Sequence, residues 1–132
     1  MKNTNQNSTV NISDAEWRIM RVLWDSPEGV SMTLGEINRE LNSDWSANTV
    51  RTLIVRLMDK NTVEADKSSG VYRYSPVLKE EDCVKNEARG VLEKAFRGSA
   101  SSMFSMLARS GDIPPDEQEK ILQLILSMKE DI

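Results

Sequence analysis

The segment from Trp45 to Asn61 constrains the fold more than any other part of this sequence, because it reads as one complete amphipathic helix. Ser46 is a favoured N-cap residue, since its hydroxyl can accept a hydrogen bond from a backbone N–H of the first turn. Apolar residues then recur at positions i, i+3, i+4 and i+7, which is a single stripe at the helical period. These residues are Val50, Leu53, Ile54 and Leu57. The pattern predicts a helix over 47–60 that packs one side on a core.

Over residues 48–56, the opposite side of this helix combines hydrogen-bond donors, apolar surface and positive charge, and it holds no carboxylate. Its residues are Asn48, Arg51, Thr52, Val55 and Arg56. Arginine and asparagine make bidentate contacts to guanine and adenine in the DNA major groove, and threonine methyl groups meet thymine. We therefore interpret the segment as a recognition helix that enters the major groove. The alternative is an ordinary surface helix whose polar side faces solvent, and this helix taken alone leaves both open.

Two capping boxes upstream predict two shorter helices. They are Ser13-x-x-Glu16 and Thr33-x-x-Glu36. In a capping box the two side chains satisfy each other's free backbone N–H groups at a helix start. We expect helices over 14–25 and about 34–42, with an extended link over 30–32. With the helix over 47–60 they make a three-helix unit, and its last pair has helix-turn-helix spacing.

A β-hairpin is predicted directly after the third helix. Two strand-like runs, 62–67 and 71–77, are joined by Ser68-Ser69-Gly70. Three helices followed by a hairpin make a winged helix, so the predicted fold class is mainly α with a small β-hairpin wing. Lys67 and Arg73 suit phosphate contacts, which position a protein on DNA without reading bases. The alternative is that these two charges are simply solvated.

The sequence from residue 79 onward predicts helices without strands, over 79–97, over 100–109 and after the Pro114-Pro115 pair. Three short helices enclose little core, yet these carry broad apolar stripes, so we expect a homodimer that buries them across a two-fold axis. The predicted interface residues are Val91, Leu92, Phe96, Met103, Phe104, Leu107, Ile121, Leu122 and Ile125. The alternative is a monomer in which the helices fold back on the winged domain.

The predicted organisation is thus a disordered tail over 1–11, a winged-helix DNA-binding domain over 12–78 and a helical dimerisation domain over 79–132. A length of 132 residues suits one small domain with a helical appendage. The net charge of −4 argues against indiscriminate coating of nucleic acid. A small basic excess is confined to residues 46–78, whereas residues 79–132 hold more acidic than basic side chains.

Histidine is absent from the sequence and Cys83 is its only cysteine. This composition excludes histidine-containing zinc sites, histidine-dependent nucleophiles and an intrachain disulfide. We therefore expect neither an enzyme nor a metal or cofactor site. The first eleven residues lack the apolar stretch of a signal peptide, and no run approaches the roughly 18 apolar residues of a membrane span. A cytoplasmic protein without membrane contact is expected.

Several pieces of the sequence follow one another in a recognisable order. They are Ile12-Ser13-Asp14-Ala15-Glu16-Trp17, Val22-Leu23-Trp24, Trp45-Ser46 with Thr49-Val50, Arg56-Leu57 and Tyr72-Arg73-Tyr74-Ser75-Pro76. In order and distance they closely resemble the penicillinase and methicillin-resistance repressors and their copper-responsive relatives (BlaI/MecI/CopY), over about residues 12–131. The resemblance implies a dimeric winged-helix repressor whose C-terminal helices dimerise and whose two winged domains bind double-stranded DNA at a palindromic operator.

The resemblance also implies positions for the DNA contacts. The recognition-helix contacts fall on Ser46, Asn48, Thr49, Arg51, Thr52 and Arg56, and the wing contacts on Lys67, Ser69 and Arg73. Asn48 and Arg51 stand where relatives often carry lysine and glutamine. A difference in the preferred operator bases is therefore expected.

The inducing signal is less defined by the sequence. Relatives that respond to β-lactams are released by a sensor protease that cuts in the dimerisation region, and the similar stretch here is 101–107. The corresponding bond is Met106–Leu107, which departs from the asparagine–phenylalanine pair of those relatives. Copper-responsive relatives end in paired cysteines that bind soft metal ions, and Cys83 alone rules out that motif. A repressor that lacks this cysteine site but responds to copper or another stress remains as an alternative. A winged helix that docks on protein rather than DNA is the alternative of another class.

Overall fold

The computed structural model describes residues 10–130 and divides them into two compact units, 10–86 and 87–130. The described helices are α1 (Asp14–Asp25), α2 (Leu34–Leu41), α3 (Ala47–Asp59), α4 (Glu80–Phe96), α5 (Ala100–Arg109) and α6 (Pro115–Glu130). The strands are β1 (Val63–Asp66) and β2 (Arg73–Pro76). No helix over this part of the chain is long and apolar enough to cross a membrane. The tail predicted to be disordered lies outside the described residues, except for its last two.

The first three helices begin at the side chains that the sequence predicts. Ser13 Oγ accepts a hydrogen bond from the Glu16 N–H, and Glu16 Oε1 accepts one from the Ser13 N–H at 2.8 Å. Thr33 and Glu36 form the second capping box in the same way. Ser46 caps α3 by accepting a bond from a backbone N–H of its first turn. These bonds satisfy N–H groups that have no partner inside a helix, so local sequence sets where each helix starts.

The core of the first unit lies where α1, α2, α3 and the hairpin meet. Its buried apolar residues include Ile19, Met20, Leu23, Ile37, Val50, Leu53, Ile54, Leu57 and Val63. All four residues of the stripe predicted for α3 are therefore buried. Full burial of such a side chain contributes about 1.5–3 kcal/mol. This stripe determines which side of α3 faces away from the core.

Two asparagines end helices by adopting left-handed backbone angles. Asn42 has φ 47° and Asn61 has φ 63°. Asparagine enters this region more readily than most residues because its short side chain can hydrogen-bond locally. The helix α2 therefore stops at Leu41, one residue before the predicted end. The chain turns at Asn61 into the first strand, as predicted.

The hairpin is antiparallel, with Val63 opposite Pro76 and Asp66 opposite Arg73. Both strands are shorter than the predicted runs, because residues 67–72 form a tip outside the ladder and Thr62 and Val77 lie just beyond its other end. The hairpin is also tied to the link between α1 and α2. The Tyr74 N–H donates to the Met32 carbonyl oxygen at 2.7 Å, and the Met32 N–H donates to the Tyr74 carbonyl at 2.9 Å. Three helices and this hairpin form a winged helix-turn-helix, which confirms the predicted fold class.

The first turns of α4 belong to the first unit. Cys83 lies in its core with 7% of its surface exposed. Asn86 Nδ2 donates to the Val10 carbonyl oxygen at 3.2 Å. The sequence prediction set the domain boundary after Leu78, whereas the compact unit of the structure continues to Asn86. Packing of the first two turns of α4, rather than the end of the hairpin, thus marks where this unit ends.

The second unit consists of the rest of α4 with α5 and α6. The helix bounds follow the predicted segments, and Gly98 and Gly111, each with φ 83°, stand between them. Among the side chains of residues 87–129, none is buried to the extent seen in the core of the first unit. Leu124 is 61% exposed and Met128 is 58% exposed. One copy of this unit therefore leaves much of its apolar surface in water.

Candidate nucleic-acid interface

The candidate interface is the outward side of α3, here called the α3 face. It comprises the exposed residues Asn48, Arg51, Thr52, Val55 and Arg56, with Ser46 and Thr49 exposed at the start of the helix. An α-helix advances about 100° per residue, so Val55 lies about 20° from Asn48 around the axis, and the buried Leu57 lies about 180° from it. The geometry thus brings these predicted residues together on one exposed side, opposite the core.

Asn48 organises the polar groups of the α3 face. Arg51 Nη1 donates to Asn48 Oδ1 at 3.1 Å, and Thr52 Oγ1 donates to the Asn48 carbonyl oxygen at 2.9 Å. The first bond engages the acceptor atom of the Asn48 side chain and leaves its amide N–H groups as donors. The second engages the Thr52 hydroxyl and leaves its methyl group for apolar contacts. The face therefore presents mainly donors and methyl groups, which suit the acceptor edge of guanine and the methyl of thymine.

The charge on α3 is arranged along the helix axis. The first turn holds no acidic residue, and Asp59 is its last residue. Asp59 lies about 20° from Asn48 around the axis, so this acid is on the same side of α3 as the α3 face, but at the C-terminal end of the helix. The N-terminal end of a helix also carries partial positive charge from its backbone dipoles. A polyanion is therefore favoured at the N-terminal three turns of α3 and disfavoured beyond them.

The tip of the hairpin carries two of the predicted wing residues. Lys67 and Ser69 are both exposed. Lys67 Nζ lies 5.2 Å from the centre of the Tyr72 ring, which is a cation–π distance. The Ser68 backbone N–H donates to Asp66 Oδ1 at 2.9 Å and lowers the pKa of that carboxyl below its ordinary value. The tip thus has an ordered turn that presents a lysine and a hydroxyl to solvent.

Arg73, the third predicted wing residue, is placed differently. Its Nε donates to Ser31 Oγ at 3.0 Å, and its Nη2 donates to the Ser31 carbonyl oxygen at 2.8 Å. Nη2 also lies 3.6 Å from Glu36 Oε1. The hydrogen bond from the Thr33 N–H, together with the charge of Arg73, lowers the pKa of Glu36. The guanidinium therefore joins β2 to the link before α2.

Two basic residues that the sequence did not single out support the ends of α3. The Arg18 guanidinium lies 4.3 Å from the centre of the Trp45 ring, just before the N-cap. Lys60, at the other end, donates to Glu16 Oε1 and to the Asn11 carbonyl oxygen, each at 2.6 Å. Their partners Trp45, Asn11 and Glu16 are distant from them along the chain. No signal in the linear pattern pairs them.

The described residues contain no group of three or more histidine, cysteine or acidic side chains that could hold a metal ion. Cys83 is buried in the core of the first unit, and burial raises the pKa of its thiol, with a smaller contribution from the charge of Asp82. A buried thiol with a raised pKa is mostly protonated at neutral pH and is a poor nucleophile. Its role in the described fold is packing.

The fold and the exposed α3 face define a winged helix-turn-helix protein. The sequence profile of the penicillinase repressor family matches residues 12–127, and the chain belongs to this family. The resemblance inferred from the sequence pieces is thereby confirmed.

Individual relatives match over most of the chain. It is 27% identical over 119 residues to the methicillin resistance regulatory protein MecI of Staphylococcus aureus (strain N315), covering 90% of this chain and 96% of that protein. It is 31% identical over 121 residues to the penicillinase repressor of Staphylococcus aureus, covering 90% and 94%. Among solved structures, the Bacillus licheniformis BlaI monomeric form in complex with the blaP half-operator is similar with 35% identity and a TM-score of 0.47, covering 55% of this chain and 88% of that one.

Proposed function

We propose that this protein is a cytoplasmic transcriptional repressor that binds a palindromic DNA operator as a homodimer. The observation that carries the proposal is the α3 face, an exposed set of donors and positive charge directly opposite a fully buried stripe. Membership of a family whose named relatives are repressors and resistance regulators supports it. A chain of net charge −4 needs such a local surface to bind a polyanion.

In this proposal the N-terminal turns of α3 lie in the major groove. Arg51, oriented by its hydrogen bond to Asn48, reads the acceptor edge of a guanine, and the Thr52 methyl makes an apolar contact. Ser46, Thr49 and Arg56 complete the contacts of the helix.

The wing contacts the phosphate backbone. Lys67 and Ser69, exposed at the hairpin tip, bind phosphate oxygens and so set the orientation of the domain on the duplex. For Arg73 we propose a positioning role, because its guanidinium already bonds Ser31 within the protein. Through that bond it holds the wing beside the helix-turn-helix.

Dimerisation uses the apolar surface of the second unit. Exposed side chains of α6 include Leu122, Leu124, Ile125, Leu126 and Met128. Apolar surface contributes roughly 25 cal/mol for each Å² removed from water, and a helix with so many exposed large residues gains by pairing with a copy of itself. The proposed interface residues Val91, Leu92, Phe96, Met103, Phe104, Leu107 and Ile121 lie on the same unit. Methionine suits such an interface because its side chain adapts to irregular gaps.

Repression then depends on holding two winged domains together. Two linked modules bind two half-sites with a high effective concentration, which a single module lacks. The bound dimer blocks access of the polymerase to the promoter. Any event that separates the dimer lowers operator affinity and releases the gene.

We propose proteolysis by a sensor protease as the inducing event, with the Met106–Leu107 bond as the site. Both residues lie within α5, and Met106 is 49% exposed. A peptide bond inside a helix becomes accessible to a protease when that helix opens locally, and a helix with few buried contacts opens at low free energy. A copper or other stress signal is the alternative inducer, and the genes that flank this one would identify which applies.

The proposal is tested by titrating the purified protein with duplexes enriched from a random-sequence pool, over a series of salt concentrations. We expect a linear fall of log K with log salt, because bound phosphates release counterions. Arg51→Ala should reduce affinity, and Arg109→Ala, with the same change of charge in the second unit, should serve as the control. If no duplex is enriched and binding has no salt dependence, the repressor proposal is wrong and a protein-docking role takes its place.

A further inference from the structure

Val55 is a large apolar side chain on the otherwise polar α3 face. It is 46% exposed, whereas the apolar stripe on the other side of the same helix is buried. A β-branched residue loses side-chain freedom in a helix, so an exposed valine is less favourable there than alanine. Neither core packing nor helix propensity explains a valine at this position.

The position of Val55 is central on the face. Counting about 100° per residue, it lies about 40° from Arg51 and about 60° from Thr52 on the other side. It stands one helical turn beyond both, and Asp59 follows one further turn along the same side. A duplex seated on Asn48, Arg51 and Thr52 therefore covers Val55 as well.

The chemistry of the major groove gives this side chain one suitable partner. Thymine alone among the four bases carries a methyl group on its major-groove edge. Valine methyl groups packed on that methyl remove apolar surface of both partners from water. Other bases present polar atoms to the groove, and covering them with valine removes their water without supplying a hydrogen bond.

We propose that Val55 is a specificity-determining residue that selects a thymine in each operator half-site through contact with its 5-methyl group. The inference rests on the proposed function, since it requires that α3 enters the major groove. It adds a base preference to that function which Arg51 and Asn48, as hydrogen-bonding residues, do not supply.

The test removes the methyl group from the DNA and the side chain from the protein in turn. A duplex is first enriched from a random pool with the wild-type protein, and each thymine in it is then replaced singly by deoxyuridine, which lacks only the methyl. Dissociation constants are measured for the wild type, for Val55→Ala and for Val30→Ala. Val30 is the control, because it is 47% exposed but lies before α2 rather than on α3.

We expect deoxyuridine at one thymine of each half-site to weaken binding of the wild type about fourfold, since a buried methyl-sized group contributes about 0.8 kcal/mol and 1.4 kcal/mol is tenfold. Val55→Ala should lose this sensitivity at that thymine alone, and Val30→Ala should keep it. Because Val55 is exposed and alanine is favoured over valine in a helix, Val55→Ala should unfold at or slightly above the wild-type temperature.

The outcomes separate the inference from the function on which it rests. The role of Val55 is wrong, and DNA binding stands, if the duplex binds but no deoxyuridine replacement weakens its binding to the wild type. The same conclusion follows if the replacements weaken binding of Val55→Ala as much as binding of the wild type. If the pool yields no duplex at all, the repressor function fails, and the role of Val55 fails with it.

Discussion

Lys60 Nζ, at the end of α3, lies 2.6 Å from Glu16 Oε1 in the first turn of α1. Glu16 is 1% exposed, so the carboxylate is held inside the fold. The same side chain completes the capping box with Ser13. This one carboxylate therefore both starts α1 and anchors the far end of the helix that we place in DNA.

Removing the lysine should destabilise the protein. Lys60→Met leaves Glu16 buried with the Ser13 N–H as a partner but without its cation, and the loss of a hydrogen bond to a charged group costs about 1.5–3 kcal/mol. We expect the free energy of unfolding in urea to fall by that amount. Lys85→Met, at an exposed position of the same unit, should change it by less than about 0.5 kcal/mol. Equal effects of the two variants would contradict a stabilising role for the pair.

Acid should weaken the same interaction. Burial by itself raises the pKa of Glu16, but hydrogen bonds from Lys60 and Ser13 outweigh it, and the pKa lies below its ordinary 4.5. A carboxyl group whose pKa is lower in the folded state stabilises the fold at pH values above its ordinary pKa. This stabilisation is lost as the pH falls through the folded-state pKa. The stability difference between the wild type and Glu16→Gln should be largest at neutral pH and shrink below pH 4.5. Glu40→Gln, an exposed change in α2, is the control, and a difference that grows in acid would contradict the assignment.

Base contacts and phosphate contacts should separate in mutants. Arg51→Ala should cost roughly 1–3 kcal/mol on the selected operator and relax the preference at one base position. Lys67→Ala should weaken binding to all duplexes about equally and reduce the salt slope by about one. The affinities of both variants are measured by titration with the selected duplex and with duplexes that differ from it by one base pair. If both variants lose affinity uniformly, Arg51 does not read a base.

The role of Arg73 is tested by the same salt series. Because its guanidinium bonds Ser31, Arg73→Ala should lower operator affinity by loosening the wing while leaving the salt slope unchanged. Ser31→Ala should reproduce part of the loss, since it removes one of the two hydrogen bonds but no charge. A slope reduced by about one in Arg73→Ala would instead identify a phosphate contact.

Charge placed on the apolar side of α6 should separate the dimer. Ile125→Glu puts a carboxylate where we propose that a second copy packs, and an unpaired buried charge is strongly unfavourable. We expect a monomer in sedimentation velocity. We also expect at least a tenfold loss of operator affinity, because the two winged domains are no longer linked. Gln123→Glu makes the same change of charge at a polar residue of α6 and should remain dimeric. A dimeric Ile125→Glu would place the interface elsewhere.

Some of the sequence predictions rested on hydrogen bonds and periods that span only a few residues. The capping side chains Ser13, Thr33 and Ser46 all act where predicted, because each bonds a backbone group within its own first turn. The predicted strands were too long, since β propensity does not indicate where the hydrogen-bonded ladder of a hairpin ends and its turn begins. The DNA contacts of the α3 face remain predictions, although its exposure follows directly from the buried stripe.

The sequence by itself therefore determined the helix starts and the buried side of α3, because these depend on patterns shorter than one helix. It also determined the winged-helix class, because that class follows from the order of such elements along the chain. Only the tertiary structure decided which charges act inside the fold. Arg73 meets Ser31 and Lys60 meets Glu16 across distances of 42 and 44 residues along the chain. A charge in a sequence shows its sign but not its partner, since the partner is chosen by how distant elements pack.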